Sequence, residues 1–244
     1  MTRIAILLYG VIAYVIAIAS LVYAVGFVEN LWVPKSIDIG PTSPFETALI
    51  VNMVLLGLFA IQHSTMARQG FKKVLTNVLP EPAERSTYVL ISGLLMWLIF
   101  WQWQPMTDVV WQVENATIAL ILVAISFIGW AIVFGSSFLI SHWELFGLKQ
   151  VLDNWFGRID NHYEFKTPFL YKIVRHPIYF GMLLAFWFAP VMTVGHLLFN
   201  VLTTGYIIIG AYLEERDLLT TFGERYAHYR KTVPMLLPWP SRKS

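Results

Sequence analysis

The chain has 244 residues, 57% of them hydrophobic and only 13% charged, with a mean hydropathy of +0.61. That balance excludes an ordinary soluble domain. A net charge of +2 without a basic block interleaved with aromatics excludes nucleic acid as a partner, and zero cysteines exclude disulfides, thiolate metal sites and a cysteine nucleophile.

The first predicted helix covers about 3–27, and residues 4–27 carry no charge. A bilayer core needs roughly 20 apolar residues per helix. The run is about twice the length of a secretory signal core and lacks a small-residue cleavage site, so an uncleaved span is expected. A turn-rich loop follows over 28–45, with Pro34, Gly40, Pro41 and Pro44. Helix two is predicted over 46–67, then a loop over 68–85, helix three over 86–104 and helix four over 116–141. Trp101, Trp103 and Trp111 flank the third connection, as aromatic belts do at the headgroup level. Residues 142–174 mix polar and aromatic side chains without a sustained period and predict a loop with short amphipathic pieces.

Two shorter apolar runs, 178–192 and 195–213, are split by Pro190 and Gly195 and predict a helical hairpin. Its first arm falls below the length of a full span. The tail, 214–238, is expected to begin as an amphipathic helix and to end in prolines. The expected fold is therefore all-α: a polytopic membrane bundle of about six segments with a C-terminal hairpin and a cytoplasmic cap. We read 1–244 as a single membrane domain, with a four-helix part over 1–141 and a ligand-binding hairpin and tail over 142–244. With the N-terminus inside, sixteen of the seventeen lysines and arginines fall on one side and Lys35 alone on the other. Such asymmetry predicts that both termini are cytoplasmic.

Charge then marks two lips of the hairpin. Arg175 and His176 precede Pro177, and proline suits the first turn of a helix, where its missing N–H is not needed. Such a turn presents free N–H groups and a positive dipole end to a carboxylate, and Arg175 adds a planar fork. The rival reading is an interfacial anchor, with Arg175 on lipid phosphate and Tyr179 in the aromatic belt. Glu214 and Glu215 stand where the second arm is expected to leave the membrane. Paired carboxylates at a helix C-terminus oppose the dipole and call for a partner: a ligand ammonium, ribose hydroxyls, or the cations Arg175, Arg216 and Arg225.

The run Phe169 to Gly181, the hairpin, Glu214-Glu215 and then Gly223-Glu224-Arg225-Tyr226 to Pro234 resemble the isoprenylcysteine carboxyl methyltransferase superfamily of integral-membrane enzymes. Membrane sterol reductases carry a related tail, so this part alone does not fix the reaction. Glu29-Asn30, Val33 to Asp38, Gln62-His63-Ser64, Met66-Ala67-Arg68, Pro82 to Tyr88 and His142 to Leu148 resemble bacterial methanethiol S-methyltransferases. More distant relatives are associated with nitrogen-oxide metabolism. The resemblance implies S-adenosyl-L-methionine as cofactor, a small volatile thiol as acceptor and dimethyl sulfide as product, and the inner membrane of a bacterium as location. It also implies a cofactor site of Tyr171, Arg175, His176, Pro177, Tyr179, Gly181, Glu214 and Glu215, with Tyr226 and Tyr229 closing it or packing the tail.

Methylating a thiol calls for a base, because the thiolate is the nucleophile. The candidates are His63, beside Gln62 and Ser64 at the cytoplasmic end of helix two, and His142, beside Trp143 at the same end of helix four. His63 is preferred because it lies in the tighter cluster. Arg85 or Arg68 would favour the thiolate, and Tyr88 enters helix three at the same level. Trp143, Tyr179 or Trp187 could line the path of a sulfonium by cation–π contact. Each histidine has a plain reading as an ordinary interfacial side chain. Metal is not expected, because His63, His142, His162 and His176 come from four segments and no HxxxH or HxxE spacing occurs. Two rival functions remain: methylation of a prenylcysteine carboxylate or another lipid-like acceptor, and a small transporter or sensor with the charges as gates. Nothing in the sequence sets the oligomeric state.

Overall fold

The computed structural model describes residues 2–158 and 165–238. The helices are α1 (Arg3–Glu29), α2 (Phe45–Ala67), α3 (Gln69–Thr76), α4 (Glu81–Gln102), α5 (Ala116–Ile140), α6 (His142–Leu145), α7 (Leu148–Phe156), α8 (Pro177–Trp187), α9 (Val194–Phe222) and α10 (Glu224–Thr232). A 3-10 turn covers Phe169–Lys172, and two short strands, β1 (Val109–Gln112) and β2 (Val191–Thr193), pair with each other.

Local chemistry fixes the helix ends. Thr2 caps α1 by accepting from the Ala5 N–H, and Asn115 caps α5 by accepting from the N–H groups of Thr117 and Ile118. Asn30 ends α1 in the left-handed region at φ 55°, a conformation that asparagine tolerates, while its N–H bonds back to Gly26 O. Pro177 opens α8 at the first position.

Among the described residues, five helices, α1, α2, α4, α5 and α9, are long and apolar enough to cross a membrane. The sixth expected segment differs in form. Helix α8 has 11 residues, or about 16 Å at 1.5 Å per residue, and stops at Trp187 instead of reaching 192. The chain continues extended into β2, which pairs with β1 in the connection between α4 and α5, and Val113 N donates to Pro190 O. Six more extended residues add roughly 20 Å. Helix and strand together therefore match a hydrocarbon core of about 30 Å and end beside β1.

Two further expectations are corrected, and one feature was not expected. The stretch 68–85 is not a loop throughout: α3 occupies most of its first half, and α4 begins at Glu81, so Arg85 already sits in a helix. The pairing of β1 with β2 has no counterpart in the sequence reading, because each strand is only three or four residues long. Lastly, α9 runs unbroken through Glu214 and Glu215 to Phe222. The two carboxylates are therefore two turns inside a helix, and the dipole argument for their needing a partner falls away.

The chain divides into two compact units. The first is Met1–Asp108, His142–His162 and Thr193–His196. Here α1 packs on α4 and α7, and α2 on α4. A core of Ala17, Met66, Tyr88 and Val89 is covered by Phe71, Leu75 and Phe146. The second unit is Val109–Ser141, Tyr163–Met192 and Leu197–Ser244. Its central contact is α5 on α8, and it depends on two glycines: a Cβ on Gly129 would lie 2.5 Å from Ala185 N, and one on Gly181 would lie 2.6 Å from Gly129 O. Without side chains at these points the backbones touch, as at small-residue interfaces in membranes. Ser126 adds a hydrogen bond across the same contact, to Ala185 O at 2.8 Å.

Candidate functional site

In the second unit, the start of α8 and the end of α9 carry one charged cluster. Arg175 is the centre. Its Nε donates to Glu215 Oε1 at 2.5 Å, and its Nη1 donates to the carbonyls of Arg230 at 2.8 Å and Val233 at 2.5 Å. Both partners are buried, the Arg175 side chain being 9% exposed and that of Glu215 6%. His176 Nε2 lies 3.3 Å from the same carboxylate oxygen, and Arg230 Nε lies 3.9 Å from the other one. Glu215 is thus saturated by protein partners, as a buried carboxylate must be.

Backbone pairing seats the tail on this cluster. Arg175 N donates to Pro234 O at 2.9 Å and His176 N to Met235 O at 3.2 Å. The Tyr229 hydroxyl donates to Tyr171 O, tying α10 to the 3-10 turn. Burial first, with the Glu215 carboxylate adding and Arg175 opposing, pushes the Tyr229 phenol up to about 12. Burial, then Glu214 and Tyr229, raise Tyr171 above the ordinary phenol range. These tyrosines stay neutral and act as fixed dipoles.

Glu214 behaves differently from its neighbour. Its side chain is 49% exposed. One oxygen, Oε2, accepts from the Tyr179 hydroxyl at 3.1 Å and lies 3.6 Å from His176 Nδ1. Tyr179 and His176 stack, with ring centroids 5.4 Å apart. Beside them, the Tyr226 hydroxyl is buried with no hydrogen-bond partner among the described residues, in a side chain only 1% exposed. A buried hydroxyl without a partner is costly and unusual in a folded protein. An open carboxylate, an orphaned phenol and a helix N-terminus form a donor and acceptor set suited to a polar, zwitterionic ligand.

A second polar group lies in the first unit, on α2 and α4. His63 Nε2 is 2.7 Å from the Tyr88 hydroxyl, and Nδ1 is 3.1 Å from Ser92 Oγ. Ser92 also reaches Tyr88 O at 2.9 Å and Gln62 Oε1 at 3.4 Å. Arg85 caps the group, its guanidinium 4.9 Å from the centre of the Tyr88 ring, while its Nε donates to Leu145 O. His142 belongs to a different set: its Nε2 is 2.9 Å from the Tyr14 hydroxyl, and its ring packs against Trp143 and Phe146. Burial lowers the pKa of His142 below the ordinary imidazole value.

The structure joins Arg175, His176, Tyr179, Glu214 and Glu215 in one network, with Tyr171 pinned beside it. Pro177 shapes the helix start, while Gly181 faces the α5 backbone. It likewise joins Gln62, His63, Arg85 and Tyr88. It does not bring His142 into that group, Trp143 is half exposed, and Arg68 caps the turn from α2 to α3. Ser64 follows His63 on α2, and His162 lies outside the described residues. Three participants were missed: Ser92, Tyr14 and Arg230. Ser92 stands one helical turn beyond Tyr88, a spacing that would have flagged it; Tyr14 and Arg230 carried no local signal.

The fold and the cluster define a multi-pass helical membrane protein with a charged, hydrogen-bonded cluster built from α8, α9 and the tail. No family model matches the sequence, and no solved structure does. Among curated proteins, the chain is 52% identical over 232 residues to methanethiol S-methyltransferase 1 of Bradyrhizobium diazoefficiens, covering 95% of this chain and 81% of that one. It is 46% identical over 242 residues to methanethiol S-methyltransferase of Mycobacterium tuberculosis, covering 99% of both. A more distant likeness, 30% over 181 residues, links it to nurim of Xenopus laevis, with 71% of this chain and 63% of that one covered. The chain belongs to the methanethiol S-methyltransferase family.

Proposed function

We propose that the protein transfers the methyl group of S-adenosyl-L-methionine to methanethiol, giving dimethyl sulfide. The observation that carries this reading is the contrast at Glu214-Glu215. Glu215 is saturated by Arg175, His176 and Arg230, whereas Glu214 is half exposed and meets Tyr179 and His176 through its Oε2, beside a buried Tyr226 hydroxyl with no hydrogen-bond partner among the described residues. These groups fit the methionyl part of the donor: Glu214 balances its ammonium, and the Tyr226 hydroxyl and the N-terminus of α8 suit its carboxylate. The Tyr179 face, stacked on His176, suits a sulfonium by cation–π attraction. When bound, the donor supplies an electrophilic methyl group, which a thiolate displaces in line while the bonding pair stays on the donor's own sulfur.

An alkanethiol less acidic than cysteine, whose pKa is about 8.5, is mostly protonated at neutral pH. His63 is the base of this reading, with Arg85 favouring the anion. The family relatives' names support the acceptor. The asymmetry of sixteen basic residues against one supports both termini in the cytoplasm, the side from which a soluble cofactor arrives, and the bacterial relatives support an inner-membrane location. The test is headspace analysis of cells that lack other thiol methylation, supplied with methanethiol. Expression of the chain should release dimethyl sulfide; absence of it, with the protein present in the membrane, overturns the proposal.

A further inference from the structure

The hydrogen-bond pattern around His63 orders the protons, and that order changes which residue meets the thiol. Ser92 has one hydroxyl proton and two oxygen acceptors in reach, Tyr88 O at 2.9 Å and Gln62 Oε1 at 3.4 Å. Either acceptor takes that proton, so Ser92 Oγ faces His63 Nδ1 with a lone pair and accepts from it at 3.1 Å. Nδ1 therefore carries the imidazole proton, and Nε2 is the bare nitrogen. Nε2 in turn accepts from the Tyr88 hydroxyl at 2.7 Å, at the short end for a hydrogen bond to nitrogen.

The bare nitrogen is thus already occupied by the Tyr88 proton, and the Phe59 ring stacks on the imidazole with centroids 5.1 Å apart. The phenolic oxygen still has lone pairs, and the Arg85 guanidinium stands 4.9 Å over its ring. We propose that Tyr88 is the catalytic residue that takes the thiol proton, while His63 receives the Tyr88 proton in the same step and Ser92 is a positioning residue that sets the His63 tautomer. The balance is simple. The S–H bond breaks and an O–H bond forms on Tyr88; the original O–H bond of Tyr88 breaks and an N–H bond forms at His63 Nε2. The products are a thiolate near Arg85, a neutral phenol and an imidazolium whose Nδ1–H remains on Ser92. This inference rests on the thiol-methylation reading and refines it, because the sequence had favoured His63 as the residue in contact.

The test uses the whole protein in detergent with two acceptors: methanethiol, and trifluoroethanethiol, whose electron-withdrawing group makes it far more acidic. General-base catalysis contributes about 10²–10⁴-fold. Tyr88→Phe and His63→Gln should each lower methanethiol turnover by about that factor, and trifluoroethanethiol turnover by much less, because that thiol ionises without help. Ser92→Ala should fall between wild type and these variants and shift the lower limb of the pH–rate profile. Retained S-adenosylhomocysteine binding serves as the check that each variant is folded. Near-normal methanethiol turnover in Tyr88→Phe with loss in His63→Gln would show that His63 meets the thiol directly and would overturn the inference. So would equal losses on both thiols. Failure of the wild type with both thiols would instead sink the thiol-methylation reading, so the two failures are distinguishable.

Discussion

Glu215→Gln tests what holds the charged cluster of α8, α9 and the tail together. The substitution keeps the size of the side chain and removes its charge. Arg175 then stays buried, its side chain 9% exposed, with only the carbonyls of Arg230 and Val233 as acceptors. Breaking a buried ion pair from one side costs about 3–5 kcal/mol. The two surviving carbonyl bonds argue for the lower end, about 3 kcal/mol, which corresponds to roughly a hundredfold in an equilibrium constant. For a chain of this size that is a fall of roughly 6–12 °C in melting temperature. The loss should be local first, because Arg175 also anchors residues 230–235 by side chain and backbone. Detergent-phase thermal scanning combined with limited proteolysis reads both effects. Cleavage within 224–238 should accelerate in Glu215→Gln and stay at the wild-type rate in Glu214→Gln, whose side chain is half exposed. Equal melting temperatures for wild type and Glu215→Gln would refute the claim that this pair carries the tail.

Three further outcomes are expected. Tyr226→Phe removes a buried hydroxyl that lacks a partner among the described residues, so it should leave stability unchanged or raise it by about 1 kcal/mol, while calorimetry with S-adenosylhomocysteine shows weaker binding; unchanged affinity would mean the hydroxyl faces no ligand. Gly181→Ala places a methyl group 2.6 Å from Gly129 O and 2.9 Å from Val133 N, so α5 and α8 must part; size-exclusion chromatography should show little monodisperse protein, and a normal yield would contradict the close contact. Burial depresses the His142 pKa, so the unfolded chain binds that proton more readily than the folded one and stability falls as pH drops through about 6.5. The difference in melting temperature between pH 7.5 and pH 5.5 should shrink in His142→Gln, and an unchanged difference would assign the effect to other groups.

The membrane helices were legible in the sequence because each is a long uncharged run, and length against bilayer thickness decides such runs without reference to neighbours. Their ends were legible where a cap residue marks them, as Pro177 does for α8. The extent of α9 was not, because the change from apolar to charged residues at Glu214 records where the helix leaves the hydrocarbon, not where its hydrogen bonds stop. The pairing of β1 with β2 was hidden for the opposite reason: residues 109–112 and 191–193 acquire strand geometry only from each other. At the α8–α9 cluster, Arg175, His176, Tyr179 and the two glutamates were nameable from motif order. Their division of labour was not, since Glu214 and Glu215 are adjacent and alike until burial makes one a structural ion and leaves the other open. The His63 group shows the same limit, because the role of Ser92 depends on a bond between α2 and α4.

The most direct measurement is methyl transfer by the purified protein with S-adenosyl-L-methionine labelled in its S-methyl group and unlabelled methanethiol. Mass spectrometry of the headspace should show dimethyl sulfide bearing one labelled methyl group, in step with S-adenosylhomocysteine, and Glu214→Gln should abolish both. Unlabelled dimethyl sulfide, or none from a folded protein that binds S-adenosylhomocysteine, would contradict the account.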